Sequence, residues 1–142
     1  MARLREILRR VSQENIDTVR RVYDAYAAGD FELALSCFDP EVEFSQPADE
    51  PGAGTYHGHE GIVEAMTKWT GAWLDYRVDV DQLADLGDHV LANTRHYGRG
   101  KSSGVESEQR IFQLYTLRGG RIVRTRMYYD EDEALNEVGS PE

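Results

Sequence analysis

The 142-residue chain predicts an α+β fold: a curved mixed or antiparallel sheet wraps around helices from the first half and encloses a cone-shaped cavity. Three observations predict it. Apolar residues recur every three or four positions in the first half, then at every second position in the second. Glycine-rich turns separate the later segments as they would in a meander. The length suits one domain with its own core, so 1–142 reads as a single unit with no repeat or linker.

The elements follow in order. "MARLREILRR" is basic and amphipathic but lacks the continuous apolar stretch of a signal peptide, so residues 1–11 read as a helical arm. Ser12 is placed to cap a helix whose Ile16, Val19, Val22, Tyr23 and Tyr26 form one apolar stripe. Gly29 supplies its left-handed end. Asp30 caps a short helix, "FELALSCF", that Pro40 stops, and "EVEFSQ" alternates as a strand. Residues 47–58, rich in proline and glycine, read as a loop. A third helix is expected from Glu60 to Asp75, with Ile62, Met66, Trp69 and Trp73 on one face. Four strands then follow from Tyr76, His89, Val105 and Ile122, the last two joined by "RGGR". The acidic tail reads as a short helical turn, with 138–142 flexible.

Charge and cysteine content narrow the function. Acidic residues outnumber basic ones by 26 to 16, giving a net charge of -10, which disfavours nucleic acid and anionic membranes as partners. No apolar run approaches the ~18–20 residues of a membrane span. Cys37 is the single cysteine and reads as an inert buried thiol, so a reducing cytoplasm is expected.

The order "YAAGD", "CFDPEVEF", "GHEGI" and "YTLRGGRIVRTRMYYD" resembles the ketosteroid isomerase and SnoaL-like polyketide cyclase group of the nuclear-transport-factor-like superfamily, over residues 12–137. The resemblance implies an open-ended cone and a homodimer through the outer sheet face. It also orients the strands. Val123, Thr125, Met127 and Tyr129 would face in, as would Gln109, Ile111, Gln113 and Tyr115, while Val22, Tyr26, Met66, Trp69 or Thr70, and Trp73 would come from helices. Carried over position by position, the isomerase base falls on Gln46, its tyrosine on Val22 and its protonated acid on Gln113. An amide takes no proton at neutral pH and valine donates no hydrogen bond, so that constellation is lost, and Tyr26 is the nearest replacement donor. An epoxide-hydrolase-like set fails too, because Tyr97 stands where an aspartate would accompany Arg95. Gln109 and Gln113 occupy the place of a cyclase acid.

Histidine is left to carry chemistry. His96, if it faces in, can act as a general base; if it faces out, it is a surface residue. His57 and His59 need further ligands to form a metal site, which Asp49 and Glu50 would have to supply, so no metal and no cofactor are expected. His59 reads as a helix-start residue and His57 as a rim residue. Trp69 and Trp73 fit a core as readily as a ligand wall. Arg95 and Arg110 are expected to pair with Glu106 or Glu108. The sequence thus supports a pocket for a small hydrophobic ring compound, walled by Val22, Tyr26, Gln46, Met66, Trp69, Trp73, Gln109, Gln113, Met127 and Tyr129. His96, His57 and Tyr26 are the acid–base candidates for an isomerase, cyclase or hydratase, and a non-catalytic binding or dimerisation module is the alternative.

Overall fold

The structure, a computed structural model, describes residues 2–46 and 53–139. Its elements run α1 (Ala2–Ala27), α2 (Phe31–Ser36), β1 (Phe38–Gln46), β2 (Gly54–His57), α3 (Gly58–Gly71), β3 (Trp73–Leu86), β4 (His89–Gly100), β5 (Glu106–Arg118), β6 (Arg121–Tyr128) and α4 (Glu131–Gly139). One mixed sheet has the order β2-β1-β6-β5-β4-β3, in which β1 and β6 run parallel and all other neighbours antiparallel. The fold is therefore α+β. α3 packs on β1 and β2 at one edge and on β3 at the other, which requires the sheet to curl into an open cone around it. Among the described residues no helix is long and apolar enough to cross a membrane.

Local chemistry accounts for most boundaries. Gly29 ends α1 with φ +77, and the Asp30 carboxylate accepts from the Leu33 N–H at 3.2 Å to open α2. Gly119 and Gly120, both at positive φ, make the tight β5–β6 turn.

Five expectations are corrected. Ser12 does not cap a helix, because α1 is continuous from Ala2 and the first turns carry enough arginine and leucine to propagate it. Leu4, Ile7, Leu8 and Val11 of this arm are exposed. The loop read over 47–58 contains β2, whose four residues pair with Glu43–Gln46; residues 47–52, with Asp49 and Glu50, lie outside the described part. α3 stops at Gly71, so Trp73 belongs to β3. A bulge in the β5–β6 register makes Ile122, and not Val123, the fully buried residue at the start of β6. Tyr129 lies beyond β6 and is 37% exposed, because the chain turns there towards α4.

Two apolar layers hold the sheet. Inside the cone, Val19, Val22, Phe38, Val42, Ile62, Val90, Tyr115 and Ile122 form the main core, and Cys37 is buried among them. Outside, Leu91, Phe112 and Leu114 meet Ala134 and Val138 of α4, and Glu137 accepts from Arg126 at 2.7 Å. The acidic tail is thus a helix that covers part of the outer face, with residue 138 packed rather than frayed. The rest of that face carries charge. Asp81 accepts from both Arg95 and Arg110, at 2.9 and 3.0 Å, while Glu108 is only 3.9 Å from Arg95. Asp81 is the principal partner because β3 places it beside both arginines, a register the sequence does not display.

Candidate functional site

The cone encloses a cavity of about 480 Å³. α1 contributes Val22, Tyr23 and Tyr26, and α2 contributes Phe31, Ala34 and Leu35. α3 supplies Ile62, Val63, Met66, Thr67, Trp69 and Thr70, following its helical repeat. The sheet closes the wall with Phe38, Phe44 and Gln46 from β1, Tyr76 and Val78 from β3, His96 from β4, Gln113 and Tyr115 from β5, and Met127 from β6. None of these is Asp, Glu, Lys or Arg. The described wall is aromatic and aliphatic, with a few neutral polar groups.

One polar group is the buried histidine. His96 faces into the cone beside Trp69, whose ring lies edge-on at 5.9 Å between centroids. The Thr94 hydroxyl donates to the Ile111 carbonyl at 2.8 Å, so its oxygen accepts from His96 Nε2 at 2.9 Å. That fixes the tautomer: Nε2 carries the hydrogen and Nδ1 accepts from the Tyr76 hydroxyl. Thr94 is fully buried, and burial pushes the imidazole pKa down to about 4. His96 is therefore neutral at pH 7, a proton acceptor whose charged form burial disfavours.

A second group is the tyrosine pair. Tyr115 donates to the Tyr23 hydroxyl at 2.8 Å across an edge-to-face contact of 6.1 Å. Burial raises both phenol pKa values, as it raises that of Tyr26. Tyr115→Phe is expected to cost about 1–2 kcal/mol in chemical denaturation, because it leaves the Tyr23 hydroxyl buried without its donor. A cost below about 0.5 kcal/mol would mean the pair adds nothing beyond its ring packing.

The amides form the third group. The registers Ser45↔Arg126 and Gln113↔Met127 put Gln46, Met127 and Gln113 in one row across β1, β6 and β5. Gln113 donates to Thr125 Oγ1 at 2.5 Å. Gln46 is 7% exposed, and its Nε2 has no hydrogen-bond partner among the described residues.

Of the residues singled out from sequence, Val22, Tyr26, Gln46, Met66, Trp69, His96, Gln113 and Met127 meet in this wall. Four do not. His57 is exposed at the end of β2, opposite Glu43, so it cannot serve as an acid–base group of the cavity. Trp73 follows the end of α3 and packs over Gly98, where an added Cβ would come within 3.2 Å of it. Gln109 pairs with His96 on the neighbouring strand but lies outside the wall. Tyr129 sits past β6. His59 Nε2 bonds the Phe38 carbonyl at 2.8 Å and ties the start of α3 to β1. Among the described residues no three His, Cys, Asp or Glu side chains gather to hold a metal. Tyr76 was missed as a site residue. Its alternation with Val78 marked the correct face, but its contact with His96 depends on the β3–β4 register.

Comparison with known proteins places this architecture. A profile of the SnoaL-like domain family matches residues 19–125. An uncharacterized protein of Mycobacterium tuberculosis is 32% identical over 123 residues, covering 84% of this chain and 92% of that protein. Among solved structures, an NTF2-like protein from Burkholderia thailandensis superposes with a TM-score of 0.76 at 26% identity, over 89% of this chain and 98% of the other. TerC, co-crystallized with polyporic acid, gives 0.74 at 22% identity, over 89% and 99%. The cone, the element order and these matches agree: the chain belongs to the SnoaL-like domain family.

Proposed function

We propose that this protein binds a small, uncharged, largely apolar ring compound in the cone. The observation that supports this reading is the cavity of about 480 Å³, within the range of small-molecule sites, whose described wall holds no charged side chain. Aromatic and methionine side chains gain on excluding water against a ring, whereas a buried unpaired ion would be costly. Trp69 lies in the wall, so its fluorescence should report occupancy. Titration with neutral bicyclic hydrocarbons and ketones is expected to change that emission saturably. Met66→Trp, which fills the cavity, should abolish the change while the variant still melts cooperatively. A flat titration for every compound would overturn the reading.

Proton-transfer chemistry is the second reading, supported by the Tyr76–His96–Thr94 chain inside the cavity. Here the Tyr76 oxygen would take a proton from the ligand as its own hydroxyl proton moves to His96 Nδ1. The reverse transfer would return a proton to the ligand, as in an isomerase, cyclase or hydratase that needs no cofactor. Tyr76→Phe should then abolish turnover but leave ligand affinity within about threefold; unchanged turnover would remove Tyr76 from the chemistry. A homodimer is proposed through the part of the outer sheet that α4 leaves open, and sedimentation equilibrium tests it directly.

A further inference from the structure

Two apolar patches stand uncovered at opposite ends of α1. The first is the N-terminal arm, where Leu4, Ile7, Leu8 and Val11 are exposed. At about 100° per residue they fall on the same helix face as Asn15, Thr18, Val19 and Val22, which are buried against the body. The stripe therefore runs on past the part of the body that covers it. Arg3, Arg5, Arg9 and Arg10 occupy the other faces of the arm, with Glu6 as its one acid. The second patch is the mouth of the cone. Phe31 of α2 and Val63 of α3 both line the cavity yet are 57% and 49% exposed, so they form its rim. The flanks of that rim are acidic. Asp30 and Glu32 bracket Phe31, and Glu60 and Glu64 lie beside Val63 on α3, where Glu64 holds Lys68 at 3.1 Å.

We propose that the arm of one copy covers the cone mouth of a second copy, and that the contact is reciprocal about a two-fold axis. Within one chain the two patches cannot meet. Val11 and Tyr26, which also lines the cavity, are held about 22 Å apart by unbroken helix, at ~1.5 Å per residue. Charge selects a second copy as the occupant. The basic arm belongs to a chain of net charge -10, and the mouth presents acids together with uncovered apolar side chains. Two arms suit each other poorly, because their arginines would meet. A lipid surface fits less well still. The arm's apolar stripe looks to the side on which the body sits, so a flat bilayer reaching Leu4 and Leu8 would collide with the body. In a two-fold pair each copy gives an arm and receives one, which closes the assembly. The partner's arm then completes the wall at the mouth, and ligand entry waits on its release. This contact is separate from the outer sheet and does not depend on what the cavity binds.

The test is a complementation between two variants of the whole chain, Leu8→Gln in the arm and Val63→Arg at the mouth, followed by sedimentation equilibrium. Both positions are exposed, and glutamine and arginine suit a helix, so the circular dichroism of each variant should match the wild type. Each substitution is expected to weaken self-association about tenfold or more, since it acts twice in a two-fold pair. An equimolar mixture should associate more tightly than either variant alone. The Val63→Arg copy keeps an intact arm and the Leu8→Gln copy an intact mouth, so one good contact forms. Association through the outer sheet, or of arm against arm, gives no such gain. A wild type that stays monomeric, variants that associate like the wild type, or a mixture no tighter than its parts each overturns the proposal. A monomeric wild type that binds phosphatidylglycerol vesicles, with binding lost in Leu8→Gln, would assign the arm to a membrane instead.

Discussion

Trp69→Ala is expected to lower the unfolding free energy by about 3–5 kcal/mol, the range for truncating a large buried aromatic. Trp69 is 3% exposed and joins elements distant in sequence: its ring contacts Trp73, Tyr76 and His96 at centroid separations of 5.9–6.0 Å. It also packs with Ile111 and Met127 of β5 and β6. Alanine would leave a void against the existing cavity, which the wall could reduce only by shifting α3 towards the sheet. Against a total stability of ~5–15 kcal/mol, that loss should drop the melting temperature by about 10 °C or more. Trp69→Phe should recover most of it. Urea denaturation with an unchanged m-value is the measurement; a loss under about 1 kcal/mol would show that Trp69 borders space and carries no packing load.

The same residue shows how far the sequence could be read. Its place on a helix face followed from spacing with Ile62 and Met66, and the switch from period 3.6 to period 2 gave the fold class. Elements hidden by composition were not legible. β2 is four residues long between glycines, and its pairing with Glu43–Gln46 is a tertiary fact that no local signal announces. Trp73 continues the apolar spacing of α3 perfectly well, and only the strand partner Gly100 takes it out of the helix. Val123 and Tyr129 were placed inward by strict alternation, which a single bulge and a chain turn defeated.

Site residues divide along the same line. Those fixed by one element's own periodicity, such as Val22, Tyr26 and Met66, could be placed on an inward face from sequence. Those defined by register could not: the Gln46–Met127–Gln113 row needs two strand pairings, one of them parallel, and the Tyr76–His96 contact needs a third. Polar satisfaction was equally invisible. Nothing in the sequence distinguishes Gln113, which has Thr125, from Gln46, which has no partner among the described residues.

His96 makes the protein's stability depend on pH between about pH 6.5 and 4. Its pKa falls from 6.5 to about 4 because the imidazole is buried, faced by the Tyr76 phenol, the Trp69 ring and the Thr94 hydroxyl. The unfolded chain therefore binds a proton below pH ~6.5 that the folded chain refuses until about pH 4. The stabilisation is fully present above pH ~6.5 and is lost as pH falls towards 4, amounting to about 3 kcal/mol at ~1.4 kcal/mol per unit. Arg95 and Arg110 hold the Asp81 carboxyl below its ordinary value, so its contribution is lost only at lower pH, outside this window. His96→Gln removes the titration while keeping a neutral polar side chain. Its unfolding free energy should be flatter than the wild type's between pH 6.5 and 4, and the two profiles should run parallel above pH 7. Parallel profiles across the whole range would mean that the imidazole is hydrated in the folded protein, and the neutral Tyr76–His96–Thr94 chain would then no longer describe the cavity at work.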